Sequence, residues 1–288
     1  MYELSQYAFV AAFAALAAAL LLYLVNVLGS RGFQALSVGG GGSVSVPAFG
    51  PILDTAGRYG TILTVNAFAF LTASLVFRAI ASGRGPFSNL YEFSLAFSWG
   101  ALALFLYFQA QYKVRTLALM VLPVALGLLA YATTVPSDIT PLVPALQNDL
   151  LLTVHVAVAI IAYGAFAVAF GAAVLFLIQR RDSIRWLPKK ALLDEMGYKA
   201  VMVGFPMMAL VIILGALWAD IAWGTYWSWD PKETASLVTL LLYGAYLHAR
   251  VLRGWRGERS AALLILGFGA TLFTYYGNLF FGGLHSYG

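Results

Sequence analysis

The sequence contains no cysteine, which excludes a disulfide framework, a thiolate metal site and a redox-active thiol on this chain. Any thiol chemistry must therefore belong to a partner. Charged residues are also scarce: they make up 10% of the 288 residues, against about 25% in an ordinary soluble domain. Because 61% of the residues are hydrophobic, most of the chain cannot face water, and its solvent is predicted to be a lipid bilayer.

Apolar stretches of about 20 residues, the length that spans about 30 Å of hydrocarbon, recur along the whole chain. They lie at residues 7–28, 59–80, 90–109, 114–131, 150–178, 200–219, 234–252 and 261–281. The first stretch lacks a basic leader and exceeds the apolar run of a signal peptide, so we interpret it as a retained helix. The pattern predicts an all-α integral membrane protein, with residues 1–288 forming a single bundle of about eight transmembrane helices.

Lysine and arginine are concentrated in alternate connections between these stretches. Cytoplasmic loops retain an excess of basic residues, so one side of the membrane is predicted to hold all of them except Arg78, Arg84 and Lys232. Both termini and the segment 218–233 then face outward. The same distribution accounts for the net charge of +5, so we predict no nucleic-acid partner.

The densest signal is a cluster of tryptophans in the predicted outward-facing loop 218–233. Four of the seven tryptophans fall there, and the aromatic residues are Trp218, Trp223, Tyr226, Trp227 and Trp229. Tryptophan and tyrosine also form interfacial belts, but a belt is spread over many helix ends. Four tryptophans in one short loop, with a glycine for the turn, favour a platform for a flat aromatic ligand.

The three histidines are the second signal. His155 and His285 lie near the outer ends of the fifth and eighth predicted spans, whereas His248 lies within the seventh, where an imidazole needs a partner or a cavity. Each alone is equally compatible with a hydrogen-bonded packing residue. Together, two outward imidazoles and a tryptophan platform match the ligand set of a bis-histidine haem. Zinc fits less well, because no close His, Glu or Cys grouping occurs.

Asp230 and Glu233 flank Pro231 in this loop. Acidic residues beside a proline are typical of a helix start, where they complement the helix dipole. Asp230 is equally compatible with a second role, as an acceptor that orients a tryptophan N–H or a histidine ligand.

Residues 223–233, WGTYWSWDPKE, strongly resemble the WWD motif of the haem-handling proteins of cytochrome c biogenesis, the family of CcsA (also called ResC), CcmC and CcmF. Three further segments resemble the CcsA branch: GPFSNLYE at 85–92, YLHAR at 246–250 and GLHSYG at 283–288. The likeness extends from Pro86 to Gly288. It implies system II cytochrome c biogenesis, in which haem b is the cargo.

The resemblance also implies residue roles. His155 and His285 correspond to outward-facing axial ligands of the haem iron, and His248 to a histidine that binds haem within the membrane. The remaining haem-contacting residues would be Trp218, Trp223, Tyr226, Trp227, Trp229 and Asp230. The second embedded ligand would come from a CcsB-like membrane partner, and the pair would act as a cytochrome c synthase (haem lyase) on apocytochrome c carrying Cys-x-x-Cys-His.

Two other functions remain compatible with the sequence. The chain would deliver haem to a separate chaperone if it acted as CcmC does. It would instead be a transporter or a membrane subunit of a respiratory complex if the aromatics were a belt and the histidines a proton relay. The predicted location is a bacterial inner or plasma membrane, or a thylakoid.

Overall fold

Runs of alanine, leucine, valine and phenylalanine form long helices throughout the computed structural model, which describes residues 1–37, 49–141, 149–277 and 281. Within those ranges every regular element is helical, as predicted. The helices are α1 (Tyr2–Ser37), α2 (Phe49–Ser82), α3 (Leu90–Tyr112), α4 (Ala118–Ala132), α5 (Asp149–Ile178), α6 (Lys190–Trp223), α7 (Pro231–Leu252) and α8 (Glu258–Tyr276). A single 3-10 turn, Arg115–Leu117, precedes α4.

Seven of these helices, α1 to α7, are long and apolar enough to cross a membrane. The chain is therefore a multi-pass integral membrane protein. The described part of α8 falls outside this group because it begins with Glu258 and Arg259 and ends with Tyr275 and Tyr276, which lower its mean hydropathy. The predicted eighth span, 261–281, runs beyond the described part of this helix.

Several helices extend past the apolar stretches that predict them. Helix α6 has 34 residues and is about 51 Å long, whereas the hydrocarbon core is about 30 Å thick. Its first ten residues include Lys190, Asp194, Glu195 and Lys199, so hydropathy places the span start at residue 200. A helix satisfies its own backbone hydrogen bonds in water as well as in lipid, and its polar end therefore continues beyond the membrane.

Helix α5 is the central helix, and α3 packs directly on its backbone. A Cβ atom on Gly164 would lie 2.5 Å from the carbonyl oxygen of Gly100, and a Cβ on Gly100 would lie 2.7 Å from that of Ile160. Small residues allow such close helix crossings in membranes. The crossing places Phe97 of α3 against Tyr163 of α5, with ring centroids 4.9 Å apart and nearly parallel planes.

A buried ion pair joins the end of α2 to the start of α3. Arg78 Nε donates to Glu92 Oε1 at 2.6 Å, and both side chains are 0% exposed. Arg78 Nη2 also donates to the carbonyl oxygen of Ser137 at 2.5 Å. The other carboxylate oxygen of Glu92 accepts from the backbone N–H and the hydroxyl of Ser88, both at 2.7 Å. The network fixes the 88–92 segment against α2 and the chain after α4.

Local contacts explain two of the basic residues that do not follow the loop distribution. Arg78 is neutralised inside the bundle by Glu92. Arg84 donates through Nη2 to the carbonyl oxygen of Thr140 at 2.6 Å. Both residues hold connections together, so their position reflects local packing rather than membrane orientation.

Candidate haem-binding cavity

A cavity of about 380 Å³ opens at the end of the bundle where α3, α5 and α7 begin and α6 and α8 end. We call this the cavity end. The volume lies within the range of about 300–1,000 Å³ typical of ligand pockets. Its aromatic lining consists of Phe93, Phe97, Tyr163, Trp218, Tyr226, Trp227 and Tyr275. Aromatic faces on several sides suit a flat apolar ligand.

His155 projects into this cavity from the second turn of α5 and is partly exposed. Its imidazole lies against the backbone of α6 at Gly215: a Cβ there would be 3.1 Å from Cε1 and 3.6 Å from Nδ1 of His155. The missing side chain of Gly215 thus provides the space for the ring. The imidazole is therefore positioned by two helices, α5 and α6.

Part of the cavity wall is made of aromatic rings that the sequence did not single out. Phe97 stacks on Tyr163 and meets Tyr275 edge-on, with ring centroids 5.4 Å apart. The hydroxyls of Tyr275 and Ser94 are hydrogen-bonded at 2.7 Å. Phe93 and Phe97 share one face of α3 at an i, i+4 spacing, which is the one sequence signal that could have identified part of this wall.

The tryptophan-rich segment is partly helical. Trp218 and Trp223 belong to the last turns of α6, with ring centroids 4.8 Å apart and planes at 75°. The helix ends at Gly224, whose φ of +71° places it in the left-handed region that glycine adopts without cost. The loop proper is therefore residues 224–230, shorter than the predicted loop 218–233.

Within the loop, Trp227 lines the cavity and Trp229 supports it from outside. Their rings are perpendicular, with centroids 5.7 Å apart. Trp229 is 69% exposed and Tyr226 57% exposed. Of the predicted aromatic contacts, Trp218, Tyr226 and Trp227 line the cavity. Trp223 and Trp229 are not part of the lining, and they pack against Trp218 and Trp227.

The acidic pair builds the start of α7. Asp230 is its N-cap, with the side chain accepting from the N–H of Lys232 at 2.9 Å, and Pro231 occupies the first helical turn. Glu233 Oε2 accepts from the N–H of Asp230 at 3.2 Å and of Ser228 at 2.9 Å. This capping box explains why α7 begins here. Asp230 is buried behind the lining, whereas Glu233 and Lys232 line the cavity.

The start of α7 lines the cavity, whereas His248 lies near the other end of this helix, four residues before Leu252. Its side chain is exposed. The structure thus separates His248 from His155. His285 lies outside the described residues. Of the nine residues predicted to bind the ligand, the structure brings together His155, Trp218, Tyr226 and Trp227 as lining, with Trp223, Trp229 and Asp230 packed behind them.

Comparisons with known proteins agree with this architecture. Residues 87–285 match the family model described as cytochrome C assembly protein. The cytochrome c biogenesis protein CcsA of Guillardia theta is 38% identical over 258 residues, which covers 80% of this chain and 85% of that protein. CcsA of Synechococcus sp. (strain JA-3-3Ab) is 37% identical over 300 residues, covering 82% and 85%.

Among solved structures, cytochrome c haem lyase CcmF superposes on this chain with a TM-score of 0.68 and 20% sequence identity. The superposition covers 96% of this chain and 46% of CcmF, and at that identity it establishes the shared fold. The matched family segment includes α3 and α5 to α8, which are the helices that build the cavity. With relatives at this level of identity aligned over most of their length, the chain belongs to the cytochrome C assembly protein family.

Proposed function

We propose that the chain acts in cytochrome c maturation by binding haem b as cargo in the cavity and presenting it for covalent attachment to apocytochrome c. The observation that carries this proposal is the position of His155, an imidazole directed into an aromatic-lined cavity of about 380 Å³. Family membership supports the biological role, because the relatives are cytochrome c biogenesis proteins.

The lining residues fit the chemistry of haem. Imidazole is a common axial ligand of haem iron, and His155 provides one. Phe97, Tyr163 and Trp218 supply apolar faces for the macrocycle. We propose His285 as the second axial ligand, because it follows Tyr275, a lining residue at the end of α8, by ten residues in the sequence.

The chain contributes positioning rather than a covalent group. It has no cysteine, so both sulfur atoms of the thioether bonds must come from the Cys-x-x-Cys-His motif of the apocytochrome. Each thiol adds across a haem vinyl group: a C–S bond forms and the thiol hydrogen moves to the neighbouring carbon, so no external oxidant is needed. Holding haem in one orientation against these thiols is a large catalytic effect in itself.

An exposed stripe on α7 supports a CcsB-like partner. Val238, Leu241, His248 and Leu252 are all exposed and recur at helical spacing on one side of α7. An imidazole in an apolar membrane-facing stripe requires a polar counterpart. A partner helix that carries a histidine would supply it, and haem iron bound between the two would form a second, membrane-embedded site.

We infer that the cavity end faces outward. The opposite end carries the basic residues Arg180 and Arg185 between α5 and α6, Arg256 between α7 and α8, and Arg259 in the first turn of α8. By the positive-inside rule that end is cytoplasmic, or stromal if the membrane is a thylakoid. The apocytochrome then meets haem on the outer side.

The test is the visible absorption spectrum of the detergent-purified chain, coexpressed with a CcsB-like protein. His155→Ala is expected to remove the low-spin bis-histidine signal of the outer site and to lower cytochrome c yield about tenfold or more. Mutating even a residue that only supports a metal ligand lowers metal affinity or activity by about 10–100-fold. His248→Ala should affect the embedded site instead. Trp255→Phe, at the opposite end of the bundle, is the control. Unchanged haem content and yield in His155→Ala and in His285→Ala would contradict the proposal.

Gly215→Ala tests whether α6 positions the imidazole. The new methyl group would lie 3.1 Å from His155 Cε1, closer than ordinary contact, so the ring must move by a few tenths of an ångström. Alanine also favours the helix by about 0.5–1 kcal/mol over glycine. We therefore expect unchanged or higher thermal stability together with about tenfold weaker haem retention.

The matched control is Gly269→Ala in α8, where an added Cβ would meet nothing within 4 Å. This variant should keep haem with wild-type affinity. If Gly215→Ala retained haem as well as Gly269→Ala, measured by titrating imidazole as a competitor for the iron, the role of Gly215 would be refuted.

A further inference from the structure

A second, more open concavity of about 550 Å³ lies at the end of the bundle opposite the cavity end. It is formed where α5 ends, α6 begins and the short connection leads from α7 to α8. The side chains that line it are Phe176, Lys190, Trp255, Arg256, Glu258 and Arg259. We call it the basic groove, because it holds three cations and one carboxylate.

Two of the three cations of the basic groove, Lys190 and Arg259, face aromatic rings. Lys190 Nζ lies 4.4 Å from the ring centroid of Phe176, and the guanidinium carbon of Arg259 lies 5.6 Å from that of Trp255. Among the residues that the structure describes, none of Lys190, Arg256 and Arg259 forms a salt bridge. Their charge is therefore available to an external anion.

The connection between α7 and α8 leaves room for that anion. Gly254 and Gly257 line the groove with positive φ angles of +63° and +79°. Neither contributes a side chain, and Gly257 caps α8 without a side-chain acceptor. The first turn of α8, with its partial positive charge, consequently begins at the groove.

The groove adjoins exposed apolar surface at the ends of two helices of membrane-spanning length. Leu177 and Ile178, which follow the lining residue Phe176 on α5, are 42% and 41% exposed. Val251, near the end of α7, is 63% exposed. A free phosphate ion would contact only the cations. A phospholipid would use the cations and this apolar surface together, so the observations favour a lipid.

We propose that the basic groove binds the phosphate-bearing headgroup of an anionic phospholipid, with the acyl chains lying along the exposed ends of α5 and α7. Guanidinium groups pair with phosphate oxygens through two parallel hydrogen bonds, which suits Arg256 and Arg259. Basic pockets between membrane helices on the cytoplasmic side are a recurring form of anionic lipid recognition. This site is independent of haem binding.

Native mass spectrometry of the detergent-purified chain tests the proposal with dioleoyl phosphatidylglycerol as the probe and dioleoyl phosphatidylcholine as its zwitterionic match. We expect phosphatidylglycerol adducts to persist at detergent washes that remove phosphatidylcholine. Arg256→Ala with Arg259→Ala should lower phosphatidylglycerol occupancy about tenfold or more. Both arginines are exposed, and the elution volume on size exclusion checks that the variant is folded.

The control removes the same charge from the same end of the bundle. Arg180→Ala with Arg185→Ala leaves the groove lining intact, and this variant should bind phosphatidylglycerol as the wild type does. Equal loss in both double variants would assign the effect to general surface charge and overturn the proposal. So would equal retention of the two lipids, or displacement of phosphatidylglycerol by an equimolar amount of glycerol 3-phosphate, which would identify a site for soluble phosphate.

Discussion

Glu92→Gln is expected to destabilise the chain by about 3–5 kcal/mol, because it leaves the guanidinium of Arg78 without its anion in the interior of the bundle. Arg78 and Glu92 are both 0% exposed, so water cannot replace the lost carboxylate. The same substitution weakens the hold on Ser88, which lines the cavity. Thermal unfolding in detergent, followed by loss of the monodisperse peak, measures the first effect and haem retention the second.

Asp54→Asn is the matched control for this substitution. Asp54 pairs with Arg58 and Arg115 but is 47% exposed, so removing its charge should cost about 0–1 kcal/mol. Replacing both partners, Arg78→Met with Glu92→Leu, should cost less than Glu92→Gln alone, because no unpaired charge remains. A loss for Glu92→Gln no larger than that for Asp54→Asn would show that the buried pair contributes little.

Gly164→Ala is expected to have the largest effect of any single methyl addition in the bundle core. The new Cβ would lie 2.5 Å from the carbonyl oxygen of Gly100, and backbone cannot move aside as a side chain can. Overpacking of this kind costs about 1–3 kcal/mol and sometimes more. Because the crossing of α3 and α5 sets the Phe97–Tyr163 stack, the variant should also lose haem.

Gly127→Ala in α4 provides the comparison, since nothing lies within 4 Å of its added Cβ. It should be neutral, or stabilising by up to about 1 kcal/mol through helix propensity. Thermal midpoints of the two variants would be compared in the same detergent. A Gly164→Ala protein as stable as Gly127→Ala would mean that the two helices are less tightly apposed than the structure indicates.

The helical bundle was predictable because a membrane leaves few alternatives. Apolar stretches of spanning length must satisfy their backbone hydrogen bonds internally, and a helix does so within one segment. The helix ends were less predictable. The polar start of α6 at Lys190 carries no hydropathy signal, and the end of α6 beyond Trp218 is set by Gly224 rather than by composition.

Part of the cavity was predictable from residue type. His155, Trp218 and Trp227 stand out because imidazoles are rare in this chain and tryptophans are clustered. Phe97 and Tyr163 do not stand out. An aromatic side chain on a membrane helix faces lipid, a neighbouring helix or a cavity, and the choice depends on neighbours distant in the sequence. His248 illustrates the same limit, since its exposure follows from the packing of the whole bundle.

Among the residues that the structure describes, the lining of the cavity runs from Ser88 to Tyr275 and includes none from α1 or α2. The matched family segment likewise begins at residue 87. The first two helices instead pack against the rest through buried aromatic rings, such as Phe9 on Tyr91 and Tyr23 on Phe105, and through the Arg78–Glu92 ion pair. The helices α1 and α2 therefore influence the cavity through the way they hold α3 in place. Relatives should vary at the exposed positions of this hairpin while retaining apolar residues at positions 9 and 23 and a basic residue at position 78.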